Sequence, residues 1–154
     1  MNPAFLKQAI ELAVENVRCD GGPFAALIVK NGVVVATGAN RVTRATDPTA
    51  HAEVVAIREA CRVLGDFQLE DCDVYSSCEP CPMCLGALYW ARPARVYFAA
   101  TQADAAAAGF DDSFIYTQIV IAPSERDIPM VRVAEEAACR PFEEWAGRND
   151  KTEY

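Results

Sequence analysis

Asp73-Val74-Tyr75-Ser76-Ser77, then Pro80-Cys81-Pro82-Met83-Cys84, then Arg95-Val96-Tyr97-Phe98-Ala99-Ala100 lie within one stretch, residues 73–100, whose reading decides the fold. Residues 73–77 predict a short strand, 82–91 a helix opened by Pro82 and closed at Arg92-Pro93, and 95–100 a second strand. A strand, a crossover helix and a strand make a parallel unit. Such a unit is stable only with helices over its faces, so the chain reads as α/β.

Outward from this unit, residues 24–30 and 33–38 are two strand-like runs joined by Asn31-Gly32, the dipeptide best suited to a two-residue turn with positive φ angles. An antiparallel hairpin is expected, and because both runs are apolar at nearly every position, both of its faces should be covered. Ahead of it Phe5, Ala9, Leu12, Ala13 and Val17 recur at helical spacing, so residues 2–18 read as an amphipathic helix that Asp20-Gly21-Gly22-Pro23 ends. Residues 40–49 form a polar loop, and 51–64 a helix that is apolar most of the way round and therefore buried, with Gly65 as its stop. Past residue 100 the pattern weakens. It suggests a short helix at 103–108, an exposed aromatic and acidic loop at 109–116, a fifth strand at 131–133, a helix over 134–147 and a disordered tail at 149–154.

A chain of 154 residues is about one domain's worth, and 1–154 is read as a single domain. No apolar run approaches the roughly 20 residues that span a bilayer, and no basic stretch precedes a small-residue cleavage site, so a cytoplasmic protein is expected. The net charge of −8 argues against nucleic acid as a partner, because a basic patch on phosphates supplies most of that affinity. Seven cysteines, an odd number, argue against a disulfide framework. Cys19, Cys61, Cys72 and Cys139 read as small buried hydrophobes.

Cys81 and Cys84 stand apart by their spacing. Three residues apart they share one helix face, and a proline between them is tolerated only in a first turn. His51-Ala52-Glu53 offers an imidazole and a carboxylate, but residues two apart in mid-helix diverge by about 200°. In a first turn both can reach a point beyond the helix end, so the helix must begin almost at His51. Two helix N-termini then face one point and favour thiolate there. Taken singly, each residue has an ordinary reading: a core histidine, a redox pair or half of a structural zinc site, a first-turn glutamate. Together, with no second Cys-x-x-Cys to complete a four-cysteine site, they predict a catalytic zinc held by His51, Cys81 and Cys84 with a fourth position open. Glu53 is left off the metal as the base that takes and returns a proton of an activated water. Cys78 precedes the Cys-x-x-Cys unit and is not expected to ligate.

The His-x-Glu…Pro-Cys-x-x-Cys pattern is a signature of zinc deaminases. The chain resembles the cytidine deaminase-like superfamily and, more narrowly, the small bacterial guanine deaminases. The resemblance covers Gly21-Gly22-Pro23-Phe24, Asn40, Asp47-Pro48-Thr49-Ala50-His51-Ala52-Glu53, residues 77–86, Trp90-Ala91-Arg92-Pro93, Gly109-Phe110-Asp111-Asp112 and the final Glu153-Tyr154. It implies an α/β/α sandwich around a mixed five-stranded sheet, one zinc ion per subunit, and hydrolysis of guanine to xanthine and ammonia. It further implies a homodimer exchanging about residues 101–154, so that Tyr154 orders over a bound purine. By the same resemblance Asp112 binds the amino group and shuttles its proton, Asn40 reads the purine's polar edge, and Phe24, Trp90 and Phe110 sandwich the ring. Glu79 is assigned to support or helix capping.

Two other functions remain open on the residues. A tRNA adenosine deaminase, or another nucleobase or nucleoside deaminase, uses the same zinc motif, although the acidity and the aromatic-acidic loop speak against RNA. A non-enzymatic zinc-binding module would keep the ligands, but would have no use for Glu53.

Overall fold

Asn2 accepts a hydrogen bond from Ala4 N at 3.0 Å and Pro3 fills the first turn, where no donor is needed, so helix α1 runs Pro3–Arg18. In this computed structural model, which describes residues 1–154, there follow β1 (Ala25–Lys30), β2 (Val33–Ala39), a one-turn helix α2 (Val42–Ala45) and α3 (Ala52–Leu64). Next come β3 (Cys72–Cys78), α4 (Pro82–Ala91), β4 (Arg95–Ala100), α5 (Gln102–Ala107), α6 (Ser113–Val120) and α7 (Arg140–Gly147). Asn31 (φ 52°) and Gly32 (φ 76°) close the β1–β2 hairpin with the two positive φ angles that this dipeptide supplies at low cost.

The sheet order is β2-β1-β3-β4. β1 is antiparallel to both neighbours and β3 is parallel to β4 across α4, so the sheet is mixed. Alternation along the strands sorts the core into two clusters. Leu27, Val29 and Tyr75 pack with Ala9 of α1, whereas Ala26, Ile28 and Val74 pack with α3 and α4 on the other face. Ala52, Ala56 and Ala60 form a fully buried i, i+4 stripe, and small side chains let α3 lie close to the sheet. Gly38, paired with Ala26, lies beneath that stripe, and a Cβ there would collide with the Ala52 carbonyl oxygen and the Ala56 backbone. Glycine at 38 is therefore what seats the first turn of α3, the turn that carries the site.

The sheet has four strands and not five. Residues 131–133 adopt no strand, and Val131 and Val133 are 78% and 79% exposed. Two valines flanking Arg132 cannot form a strand without a neighbouring ladder, and region Ser113–Tyr154 contributes no strand to any sheet. β2 is an edge strand and only partly covered, so full burial holds for β1 alone. α3 buries one face and not its circumference, leaving Val63 half exposed. Residues 113–116 are helical within α6 and not loop. The last helix begins at Arg140, behind a 3-10 turn at Glu136–Cys139, because Pro141 is compatible only with a first turn. Of the four cysteines read as buried, Cys72 is buried, Cys61 is partly covered and Cys19 and Cys139 are exposed.

By internal packing the chain divides into two units. Met1–Asp112 contains the sheet and both core clusters, and Ser113–Tyr154 contains no buried residue. No helix is long and apolar enough to cross a membrane.

Candidate metal and catalytic centre

Two helices begin at ligand residues. His51 is the N-cap of α3 and Cys81 that of α4; both are extended, with ψ 156° and 167°, and neither side chain makes a capping hydrogen bond. Cys84 lies within the first turn of α4. His51 Nδ1 is 3.4 Å from Cys81 Sγ and 3.5 Å from Cys84 Sγ, and the three ligand atoms lie within 4.8 Å of one another. A tetrahedral zinc at about 2.3 Å from sulfur and about 2.0–2.1 Å from nitrogen separates N from S by about 3.6 Å, so donor set and spacing both fit. Three protein ligands leave the fourth position open.

The same geometry prepares the charges. Hydrogen bonding with Cys84, then with His51, pulls the Cys81 thiol down to about 4. Cys84 is pushed up by that shared bond and by its burial, and His51 is raised by its bond with Cys81. The arrangement favours the thiolate form at Cys81, the form that metal ligation requires.

Glu53, in the first turn of α3, is 6% exposed. Burial pushes its carboxyl up, and Ser76 Oγ, donating to Oε1 at 2.9 Å, partly opposes the rise. Ser76 shares with Val74 the strand face that looks toward α3, which is why a β3 hydroxyl meets an α3 carboxylate. The sequence reading passes over Ser76. The usable signal was a hydroxyl on the helix-facing side of an otherwise apolar strand.

Asp112 is near enough for its charge to help hold the His51 proton, and its Oδ1 accepts from Gln102 Nε2 at 2.6 Å. Gln102, also passed over, has its backbone N–H held by Glu79 Oε2 at 3.0 Å, which gives Glu79 its capping role. Nothing in the sequence distinguishes Gln102 from any other first-turn residue. Cys78 stands outside the ligand cluster, with its Sγ donating to the Thr101 carbonyl at 3.6 Å. Phe24 and Phe110 meet edge to face, centroids 5.0 Å apart. Asn40 is 9% exposed; its N–H donates to the Phe24 carbonyl at 3.0 Å and its Oδ1 accepts from Val42 N at 3.3 Å. Trp90 lies in the last turn of α4, six residues past Cys84 and 65% exposed, whereas Tyr154 belongs to the second unit, its ring 6.5 Å from that of Trp145.

The family described as the cytidine and deoxycytidylate deaminase zinc-binding region matches residues 2–100. Over 151 residues, 97% of each chain, the sequence is 57% identical to guanine deaminase of Bacillus subtilis (strain 168). An X-ray structure of the Bacillus subtilis guanine deaminase superposes with a TM-score of 0.98 at 56% identity, covering 100% of this chain and 99% of that one. A tRNA-specific adenosine deaminase of Aquifex aeolicus (strain VF5) is 44% identical over 96 residues, 62% of this chain and 64% of that one. The match takes in both ligand-bearing helices and the strand that supports Glu53, and on that ground the chain belongs to the cytidine and deoxycytidylate deaminase zinc-binding family.

Proposed function

We propose that this protein is a zinc-dependent guanine deaminase that hydrolyses guanine to xanthine and ammonia. The observation that carries the choice of base is coverage. The likeness to a guanine deaminase runs through 97% of the chain, while that to the tRNA enzyme stops at 62%. The share beyond it includes the region expected to select the substrate.

Zinc, when bound by His51, Cys81 and Cys84, supplies a Lewis acid that lowers the pKa of a water to near 7. Glu53 takes the proton of the attacking water and returns it to the ring nitrogen beside the carbon that bears the amino group. Its raised pKa suits both directions of transfer, because a carrier works best when its pKa approaches the working pH. Asp112 binds the amino group and shuttles to it the second proton of the attacking water, without which an amine leaves poorly, and Gln102 holds Asp112 for this. With Oδ1 of Asn40 occupied by Val42 N, its Nδ2 is the atom that donates to an acceptor on the purine edge. The perpendicular Phe24–Phe110 pair presents one ring face and one edge to a flat heterocycle, and Trp90 and Tyr154 complete its cover.

The working form is a homodimer exchanging about residues 101–154 within an otherwise single deaminase-like domain 1–154. Two features support this. Segment Ser113–Tyr154 has no core of its own, with Val120 and Ile128 more than 80% exposed. Tyr89 and Trp90 expose an apolar surface on α4 larger than one isolated side chain. A cytoplasmic setting suits seven free cysteines.

The test is ammonia release by the zinc-loaded protein from guanine, adenine, cytosine, cytidine and a tRNA anticodon stem. Turnover of guanine is expected, and turnover of the RNA without guanine overturns the proposal.

A further inference from the structure

Asn16 is the one polar residue in the buried stripe of α1, which otherwise consists of Ala9 and Ala13. It is 7% exposed, and its carboxamide is fully engaged as a donor. Nδ2 donates to the Gly22 carbonyl at 2.7 Å and to the Asn40 carbonyl at 2.9 Å. Those two carbonyls belong to the backbone entering β1 and the backbone leaving β2, which are also joined by the Asn40 N–H to Phe24 carbonyl bond at 3.0 Å. The two glycines of the entering loop make room for this arrangement. A Cβ on Gly21 would overlap the Asn16 carboxamide, and one on Gly22 would sit 2.9 Å from both Cγ and Oδ1 of Asn40. A buried amide in an apolar stripe is costly unless both of its hydrogens are used, and here both are used on the segments that carry Asn40 and Phe24.

We propose that Asn16, a residue of α1 remote in sequence from the zinc motif, is a positioning residue for purine recognition, holding Asn40 in register from behind. The proposal rests on the reading of Asn40 as the residue that donates to the purine. Asn16 touches neither the ligands nor Glu53, so its contribution falls on binding and not on the chemical step. Asn16→Asp keeps the shape but replaces the donor with a carboxylate oxygen facing two carbonyl oxygens, and so releases Asn40.

The experiment measures kcat, KM for guanine, zinc content and Tm for Asn16→Asp, Asn40→Ala and the double variant. Asn16→Asp is expected to raise KM on the order of tenfold with kcat within about threefold and full zinc content, the signature of lost binding alone. The double variant should be no worse than Asn40→Ala, because a residue acting through another adds nothing once that other is gone. A folded Asn16→Asp protein with unchanged KM, beside an Asn40→Ala protein with raised KM, overturns the role of Asn16 and leaves Asn40 in place. Unchanged KM in Asn40→Ala overturns the reading of Asn40 itself. If Asn16→Asp does not fold, Asn16→Ser and Gly22→Ala take its place: the first keeps one shorter donor, the second crowds Asn40 directly. KM unchanged in both likewise overturns the proposal.

Discussion

Glu53→Gln separates the chemistry of the site from its architecture. The carboxylate is 6% exposed and pushed up by burial, and its hydrogen-bond partner on β3 is Ser76 Oγ at 2.9 Å, a bond that a carboxamide oxygen can still accept. The substitution therefore keeps shape and zinc ligands while removing the group that carries the proton. Loss of a positioned general base costs about 10²–10⁴ in kcat, with zinc content unchanged. Stability of the metal-free protein should move the other way. An acid whose folded pKa lies above its unfolded one is tolerated while protonated, below the ordinary 4.5, and costs stability as pH rises through the window between 4.5 and the raised value. Removing a buried charge relieves on the order of 1 kcal/mol or more, about 2–4 °C per kcal/mol for a chain of this size. The metal-free variant should thus melt a few degrees above the parent near neutral pH and converge with it toward acid. Kinetics, metal analysis and scanning calorimetry from about pH 5 to about pH 8 test this together. Activity within tenfold of the parent with zinc bound refutes the base assignment, and a lower metal-free Tm at neutral pH refutes the buried-charge argument.

Ser76→Ala removes a bond that favours charged Glu53, so the carboxyl rises further and the acid limb of kcat/KM should move to higher pH; an unmoved limb means the hydroxyl does not act on Glu53. Gly38→Ala forces a Cβ against the Ala52 carbonyl and should cost about 1–3 kcal/mol, seen as a lower Tm and weaker zinc retention on dialysis against chelator; an unchanged Tm contradicts the seating of α3 on β2. Deleting Glu153 and Tyr154 should raise KM for guanine while zinc content stays constant, and unaltered kinetics would show that the tail has no part in binding.

Sequence periodicity and punctuation determined the local elements of the first hundred residues, except for the one-turn helix α2, which falls within residues 40–49 that read as loop. Pro82 and Gly65 punctuate helices, Asn31-Gly32 specifies its turn, and the two-residue gap from His51 to Glu53 requires α3 to start where it does, because these constraints act between near neighbours. The zinc ligand set was equally legible, since metal chemistry is carried by residue type and spacing. Pairing beyond the hairpin and the parallel β3–β4 unit was not. Residues 131–133 have strand composition but no strand, because a strand exists only when another ladder satisfies its backbone, and the pattern of three residues carries no information about a partner. Ser76 under Glu53, Gln102 on Asp112 and Asn16 behind Asn40 join positions 23, 10 and 24 residues apart, each through a single hydrogen bond. Such bonds leave no period in the chain: the packing of α1 and α3 on opposite faces of one sheet decides the first and the last, and the turn that follows α5 decides the second.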